Sequence, residues 1–209
     1  MIRNAGTAGS AIVHRALIKG DIMRVITGKA RGAKLVSLEG TEIIRPTADA
    51  VKESMFSIVQ FDIEDSVVLD LFAGSGQLGI EALSRGAKKA FFVDSSKASI
   101  DVIKQNLAHT KLEDGAVVIN MPNSAFLRTA KDRIDIAFLD PPYGKGLIQR
   151  SLPALTEIMS ADGIIVCEHE TECRLPEEEN GFVISKQYRY GKIALTVYRR
   201  KESEEKEEL

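Results

Sequence analysis

Residues 67–83 read VVLDLFAGSGQLGIEAL, an apolar run that breaks into glycines and then resumes at helical spacing. Val67, Val68, Leu69 and Leu71 suit a strand buried on both faces. Gly74, Gly76 and Gly79 punctuate the turn. Ile80, Ala82 and Leu83 then recur as on a helix, and Gly86 is placed to stop it. A strand that feeds a helix through such a turn points backbone N–H groups into the gap, and the missing side chains let a ligand approach closely.

The spacing Gly74-x-Gly76-x-x-Gly79, with Asp94 twenty residues beyond the first glycine, is the dinucleotide pattern and taken alone suggests NAD. Asp70 argues for another ligand. It stands at the carboxyl end of the strand, where a carboxylate repels a pyrophosphate. A ligand carrying a sulfonium and an ammonium group, as S-adenosylmethionine does, is welcome there. The plainer alternative is that Asp70 caps the turn through backbone amides.

A second element lies downstream. Residues 134–139 form an apolar strand that runs straight into Asp140-Pro141-Pro142-Tyr143. Prolines cannot continue a ladder, and they fix the backbone in an extended bend. An exocyclic amine on a nucleobase is a poor nucleophile, because its lone pair is delocalised into the ring. If Asp140 and the carbonyl of Pro141 each accept one N–H, the nitrogen is drawn toward tetrahedral geometry and its lone pair is freed. Tyr143 can stack on the base. Acceptors held on rigid backbone are already organised for that task.

Between and around these elements strand and helix alternate. Strands are expected at 89–93, 116–119, 134–139 and 163–167, and helices from Ser96, over 124–130 and over 147–159. Phe182, Tyr190, Lys192 and Tyr198 bound an antiparallel pair turning at Gly191. The fold class is therefore α/β: a mostly parallel central sheet with helices on both faces, closed by an antiparallel C-terminal hairpin. Upstream, Pro46 and Thr47 open a helix whose Val51, Met55, Ile58 and Val59 form one buried stripe. Residues 23–44 read as a basic β-hairpin, with strands at 23–27 and 33–38 around GKARG. It carries Arg24, Lys29, Arg31 and Lys34, and Arg45 stands at the mouth of the helix. Residues 45–199 form the main domain. Residues 1–22 have no clear period and are expected to be a disordered extension, and residues 200–209 an acidic disordered tail.

Net charge is −2, but eight basic residues stand against three acidic ones in residues 1–46, while KESEEKEEL closes the chain. Positive charge gathered at one end suits a phosphate-binding face. No apolar run is long enough to span a bilayer. Two cysteines, Cys167 and Cys173, are too few for a disulfide framework, as in a reducing cytosol. With His169 they read as structural residues rather than a metal site. Glu168, at the carboxyl edge of another strand, reads equally as a cap or as an active-site carboxylate. Arg189, Tyr190 and Lys192 read equally as RNA contacts or as an exposed turn.

MRVITGKARGAKL (23–35), RPTADAVKESMFSIV (45–59), LDLFAGSGQLGIEALSRGA (69–87) and FLDPPY (138–143) together resemble the bacterial 16S ribosomal RNA (guanine-N2) methyltransferases of the RsmD type, over residues 23–198. The resemblance implies a Rossmann-like methyltransferase fold and S-adenosylmethionine as cofactor. Asp70, Phe72, Ala73, Gly74, Ser75, Gly76 and Gly79 would then surround the methionine end. Asp94, with Ser95 beside it, would hold the ribose hydroxyls, and Asn123 and Ser124 would lie near the adenine. Asp140, Pro141, Pro142 and Tyr143 would handle the guanine amine, and Arg24, Lys29, Arg31, Lys34 and Arg45 would bind RNA. The implied partner is 16S ribosomal RNA within the small subunit or an assembly intermediate, met in the cytoplasm by a monomer with neither metal nor membrane. Two positions depart from the family pattern. Ala50 stands where RPTxDRV carries Arg, and Asn123-Ser124 lacks an acid for the adenine amino group. The alternatives are an adenine-N6 DNA methyltransferase, an NAD-dependent oxidoreductase and a non-catalytic RNA-binding assembly protein.

Overall fold

Strand β1 (Val67–Asp70) is an interior strand of the eight-stranded sheet, third from one edge. In a computed structural model, which describes residues 23–38 and 46–201, it pairs in parallel with β2 (Lys89–Asp94) on one side and with β4 (Ile134–Leu139) on the other. β3 (Ala116–Asn120) extends the sheet beyond β2, and β5 (Met159–Glu170) beyond β4, both in parallel. β8 (Ile193–Arg200) then pairs antiparallel with β5 and with β7 (Phe182–Tyr190). The two-residue β6 (Glu178–Glu179) completes the order β3-β2-β1-β4-β5-β8-β7-β6. The extension at 1–22, Arg45 and residues 202–209 of the tail lie outside the described residues. Arg200 itself ends β8 and is not part of a tail.

The period of two along the strands divides the core. Val68, Ala90, Phe92, Ile136 and Phe138 face α1 (Pro46–Ile58), α2 (Gln77–Ser84) and α3 (Lys97–Thr110). Leu69, Phe91, Val93, Ala137 and Leu139 face α4 (Asn123–Thr129) and α5 (Leu147–Ile158). Helices therefore cover both faces, as the alternation requires. The stripe of α1 is buried at Val51, Met55 and Val59, and it also includes Phe56, whose ring tilts against Phe138 with centroids 5.1 Å apart. At the start of α3, Ser96 accepts a hydrogen bond from the Ser99 amide, a cap worth about 1 kcal/mol.

Two outlines differ from the sequence expectation. β5 runs from Met159 to Glu170 rather than over 163–167, because its last residues pair with β8 as Glu168 does with Leu195 and Glu170 with Ile193. The 23–38 segment folds back on itself through a single bridge, Arg24 to Lys34, and not through two regular strands. Its tip closes on its own turn, while the amides of Ile26, Thr27, Ala30 and Val36 are taken by side chains of the main body. The chain winds from β1 toward β3 in one direction, then from β4 toward β5 in the other. A crevice opens between the carboxyl ends of β1 and β4.

Candidate active site

The glycine loop forms one wall of that crevice. Gly74 and Gly76 adopt φ of +52° and +80°, where a β-carbon is strained, and the Gly76 amide bonds back to the Ala73 carbonyl at 2.6 Å. Gly79 serves a different purpose. It lies inside α2, and a β-carbon there would stand 2.3 Å from the Phe92 ring, so the glycine lets helix and sheet pack closely. Asp70 is 2% exposed, and its Oδ2 accepts from the Gly79 amide at 3.0 Å. That is the capping contact foreseen as the plainer alternative. Burial, opposed by that hydrogen bond and reinforced by the nearby Asp94 charge, lifts its carboxyl to about 7.

At the end of β2, Asp94 fixes the loop from the side. Its Oδ2 accepts from the Gly74 amide at 2.9 Å and its Oδ1 from the Ser96 amide at 2.8 Å. A carboxylate held this way still has acceptor lone pairs to offer to a pair of vicinal hydroxyls. A cavity of about 290 Å³ lies against it, lined also by Phe72, Ser95, Asn123, Pro142 and Lys145.

The segment after β4 supplies the opposite wall. Pro141 is buried, while Asp140 borders a second cavity of about 310 Å³ together with Ala73, Gly74, Ser75, Lys52 and Glu168. The two cavities flank the same glycine loop, and their volumes are of the order of small-ligand sites. Asp140 is open to the cavity but surrounded by protein elsewhere. Desolvation, then the charges of Glu168 and Asp70, push its carboxyl well above the usual range. Burial also raises Glu168, partly offset by the hydrogen bond it accepts at Oε1 from the Tyr143 hydroxyl, 2.8 Å away. Tyr143 remains 42% exposed, in an adjoining hollow lined also by Pro141, Pro142 and Glu168. Two carboxyl groups on the second cavity, with buried Asp70 behind the loop, favour a positively charged ligand there, and a sulfonium meets that condition.

The 23–38 segment is fastened onto this assembly. Glu81 of α2, fully buried, accepts from the Ile26 amide at 2.7 Å and the Thr27 amide at 3.0 Å. The same carboxylate pairs with Lys52 at 3.1 Å and Arg85 at 2.8 Å, and Lys52 also donates to the Arg24 carbonyl. Removing one member of so buried a set is strongly destabilising, of order 3–5 kcal/mol. Asn106 of α3 accepts from the Val36 amide at 2.7 Å and donates to the carbonyls of Val36 and Ser75. It thus ties the hairpin to the glycine loop. Arg24, Lys29, Arg31 and Lys34 are all exposed, and Arg24 stands directly across from Lys34. Like charges in that arrangement repel unless an anion lies between them.

Most of the residues singled out from the sequence meet at the crevice. Ala73, Gly74, Ser75 and Asp140 line one cavity, and Phe72, Asp94, Ser95, Asn123 and Pro142 the other. Asp70, Gly76 and Gly79 lie behind the loop as its support. Ser124 is exposed and lines neither cavity, while Asn123 spends its amide on Ser151 at 2.9 Å. Arg189 and Lys192 are exposed on the C-terminal hairpin, and the Tyr190 hydroxyl bonds Ser54 at 2.7 Å. Cys167 is buried in β5, and both ring nitrogens of His169 are engaged, with the Glu170 carbonyl and the Thr196 hydroxyl. Glu81, Lys52 and Asn106 were not foreseen. One signal was available for Asn106, an amide set between Ile103 and Leu107 on the apolar face of α3.

The family model described as conserved hypothetical protein 95 matches residues 23–199. A Haemophilus influenzae protein named ribosomal RNA small subunit methyltransferase D is 37% identical over 86% of this chain and 94% of its own length. The protein of the same name from Escherichia coli K12 is 33% identical over 85% of this chain and 90% of its own. Among solved structures, that of the Escherichia coli protein yhhF superposes with a TM-score of 0.75 at 33% identity, covering 86% of this chain and 98% of that one.

Proposed function

The chain belongs to the conserved hypothetical protein 95 family, and from that premise we propose that it is an S-adenosylmethionine-dependent methyltransferase of small-subunit ribosomal RNA. Its acceptor is the exocyclic N2 amine of a guanine. The observation that carries this reading is the meeting of the glycine loop with Asp140 and Glu168 on one cavity. When bound, the cofactor supplies an electrophilic methyl group on a sulfonium. The open glycine cradle, the Asp94 carboxylate and the buried negative charge fit its ribose and its cationic end.

Each part of the chain then has a task. Asp94 takes the ribose hydroxyls, and Asn123 with Phe72 borders the adenine. Asp140 and the Pro141 carbonyl accept the two amine N–H groups and aim the nitrogen lone pair at the methyl carbon. The exposed Tyr143 ring offers a stacking face, because an amine inside a helix or stack is out of reach and the base must be presented from a loop or flipped. The hairpin cations Arg24, Lys29, Arg31 and Lys34 hold phosphates without reading sequence. The repulsion between Arg24 and Lys34 is relieved when a phosphate sits between them.

The test offers S-adenosylmethionine labelled on the methyl group together with unmodified small ribosomal subunits, free small-subunit RNA or duplex DNA, and digests the product to nucleosides. Label in N2-methylguanosine from a ribosomal substrate is the expected result. Label in N6-methyladenine from DNA would keep the chemistry and overturn the substrate.

A further inference from the structure

Moving a methyl group onto an amine leaves one proton too many on nitrogen. As the N–C bond forms and the S–C bond breaks, the bonding pair goes to sulfur and the positive charge passes to nitrogen, which must lose a proton to become a neutral secondary amine. Asp140 and the Pro141 carbonyl orient the nitrogen. We propose that this proton leaves along the N–H held by Asp140 and passes from that carboxyl to Glu168, its neighbour across the sheet, a role that rests on the methyltransferase reading above.

The geometry supports the assignment. Glu168 sits at the carboxyl end of β5, one position beyond Cys167, which pairs with Leu139, the residue before Asp140. The two carboxylates are therefore neighbours across adjacent strands, and they line the same cavity as Gly74 and Ser75. Oε1 accepts the Tyr143 hydroxyl at 2.8 Å, which fixes the carboxylate and leaves Oε2 for a proton. A carboxyl kept partly out of water is a stronger base than one in solvent, as burial at Glu168 provides. The groups that face it are Asp140, Tyr143 and Lys145 from the loop after β4, Lys52 from α1, and His169 and Glu170 on its own strand. Lys52 is committed to the Glu81 carboxylate. His169 has both nitrogens engaged, so neither competes as the base.

A structural role for Glu168, holding Tyr143 in place, makes a different prediction from a chemical one. Glu168→Gln keeps an oxygen that accepts the Tyr143 hydroxyl but cannot take a proton, whereas Tyr143→Phe removes the hydrogen bond and leaves the base. The experiment measures single-turnover methyl transfer to small ribosomal subunits between pH 5 and 9, with cofactor affinity by calorimetry. In E168Q the rate plateau at saturating cofactor is expected to fall about 100-fold, well beyond any weakening of cofactor binding. The acid limb should also move to lower pH, because Asp140 no longer shares its cavity with a second carboxylate. Y143F should lose less and move the acid limb to higher pH, because Glu168 loses the hydrogen bond that offsets its burial. An E168Q plateau within threefold of wild type, or a Y143F loss that matches that of E168Q, would overturn the assignment while the methyltransferase reading stands. No transfer by the wild-type protein would bring down both.

Discussion

The loop after β1 is held by its neighbours at almost every residue, whereas the loop after β4 is held at few. In the first, the amides of Leu71, Ala73 and Gly74 find acceptors on the neighbouring strands, that of Gly76 closes the turn on Ala73, and Asn106 takes the Ser75 carbonyl. In the second, residues 142–146 are exposed, Gly144 and Gly146 turn at positive φ, and Tyr143 is tethered through one hydroxyl to Glu168. The difference matches two demands. A small cofactor of fixed shape is bound best by a site already formed. A base that arrives on a large RNA needs a loop with room to receive it, and the chemistry is concentrated in a few desolvated groups beside it.

The contrast can be broken by substitution, and the largest effect belongs to the second loop. Asp140→Ala should lower methyl transfer at least about 1000-fold with cofactor affinity within a few-fold of wild type. A rate near wild type would end the mechanism. Asp94→Ala should do the reverse, weakening cofactor binding by roughly 30- to 100-fold through two lost charge-assisted hydrogen bonds, with little change at saturation. Unchanged affinity by calorimetry would remove its assigned role.

Asp70 sharpens the comparison because it supports the first loop at a cost. Its carboxyl rises from 3.8 to about 7 on folding, so the protonated form is favoured in the folded state. Its contribution to stability is complete below 3.8 and is lost as pH rises through about 7. Asp70→Asn keeps an oxygen for the Gly79 amide and carries no charge. At pH 8 the cofactor-free variant should be more stable than wild type by about 2 kcal/mol, a rise in Tm of roughly 4–8 °C, while its affinity for the cationic cofactor falls. The gain should shrink as pH is lowered toward 5, and a Tm difference independent of pH would contradict the account. The smallest effect is expected outside both loops. Arg24→Ala with Lys34→Ala should weaken RNA binding several-fold and reduce its salt dependence, without altering cofactor affinity. An unchanged salt slope would remove the hairpin from the RNA interface.

The alternation of apolar runs made the sheet and its helices legible, and residues 67–83 with 138–143 marked the two walls of the crevice. What escaped is the polar interior. Glu81 lies in a helix buried from Leu78 to Ser84, so no solvent face exists for it. A sequence pattern assigns a charge to the surface by default, and only the docking of Ile26 and Thr27 explains it. Asp70 was legible as a carboxylate at the right strand end, but not its choice of the Gly79 amide over the cavity, since that is set by a side-chain torsion. The 23–38 segment was legible as a basic turn. Its loss of strand pairing was not, because its partners are side chains far along the chain.

That distance has a consequence in time. The fastenings of the basic hairpin join residues 54, 55 and 70 positions apart, from Ala30 to Ser84, Ile26 to Glu81 and Val36 to Asn106. Closing such loops costs chain entropy before any contact repays it. As the polypeptide is synthesised, its cationic arm emerges before the helices that fasten it and waits for α2 and α3. The surface assigned to RNA is therefore finished only when the cofactor wall behind it already stands.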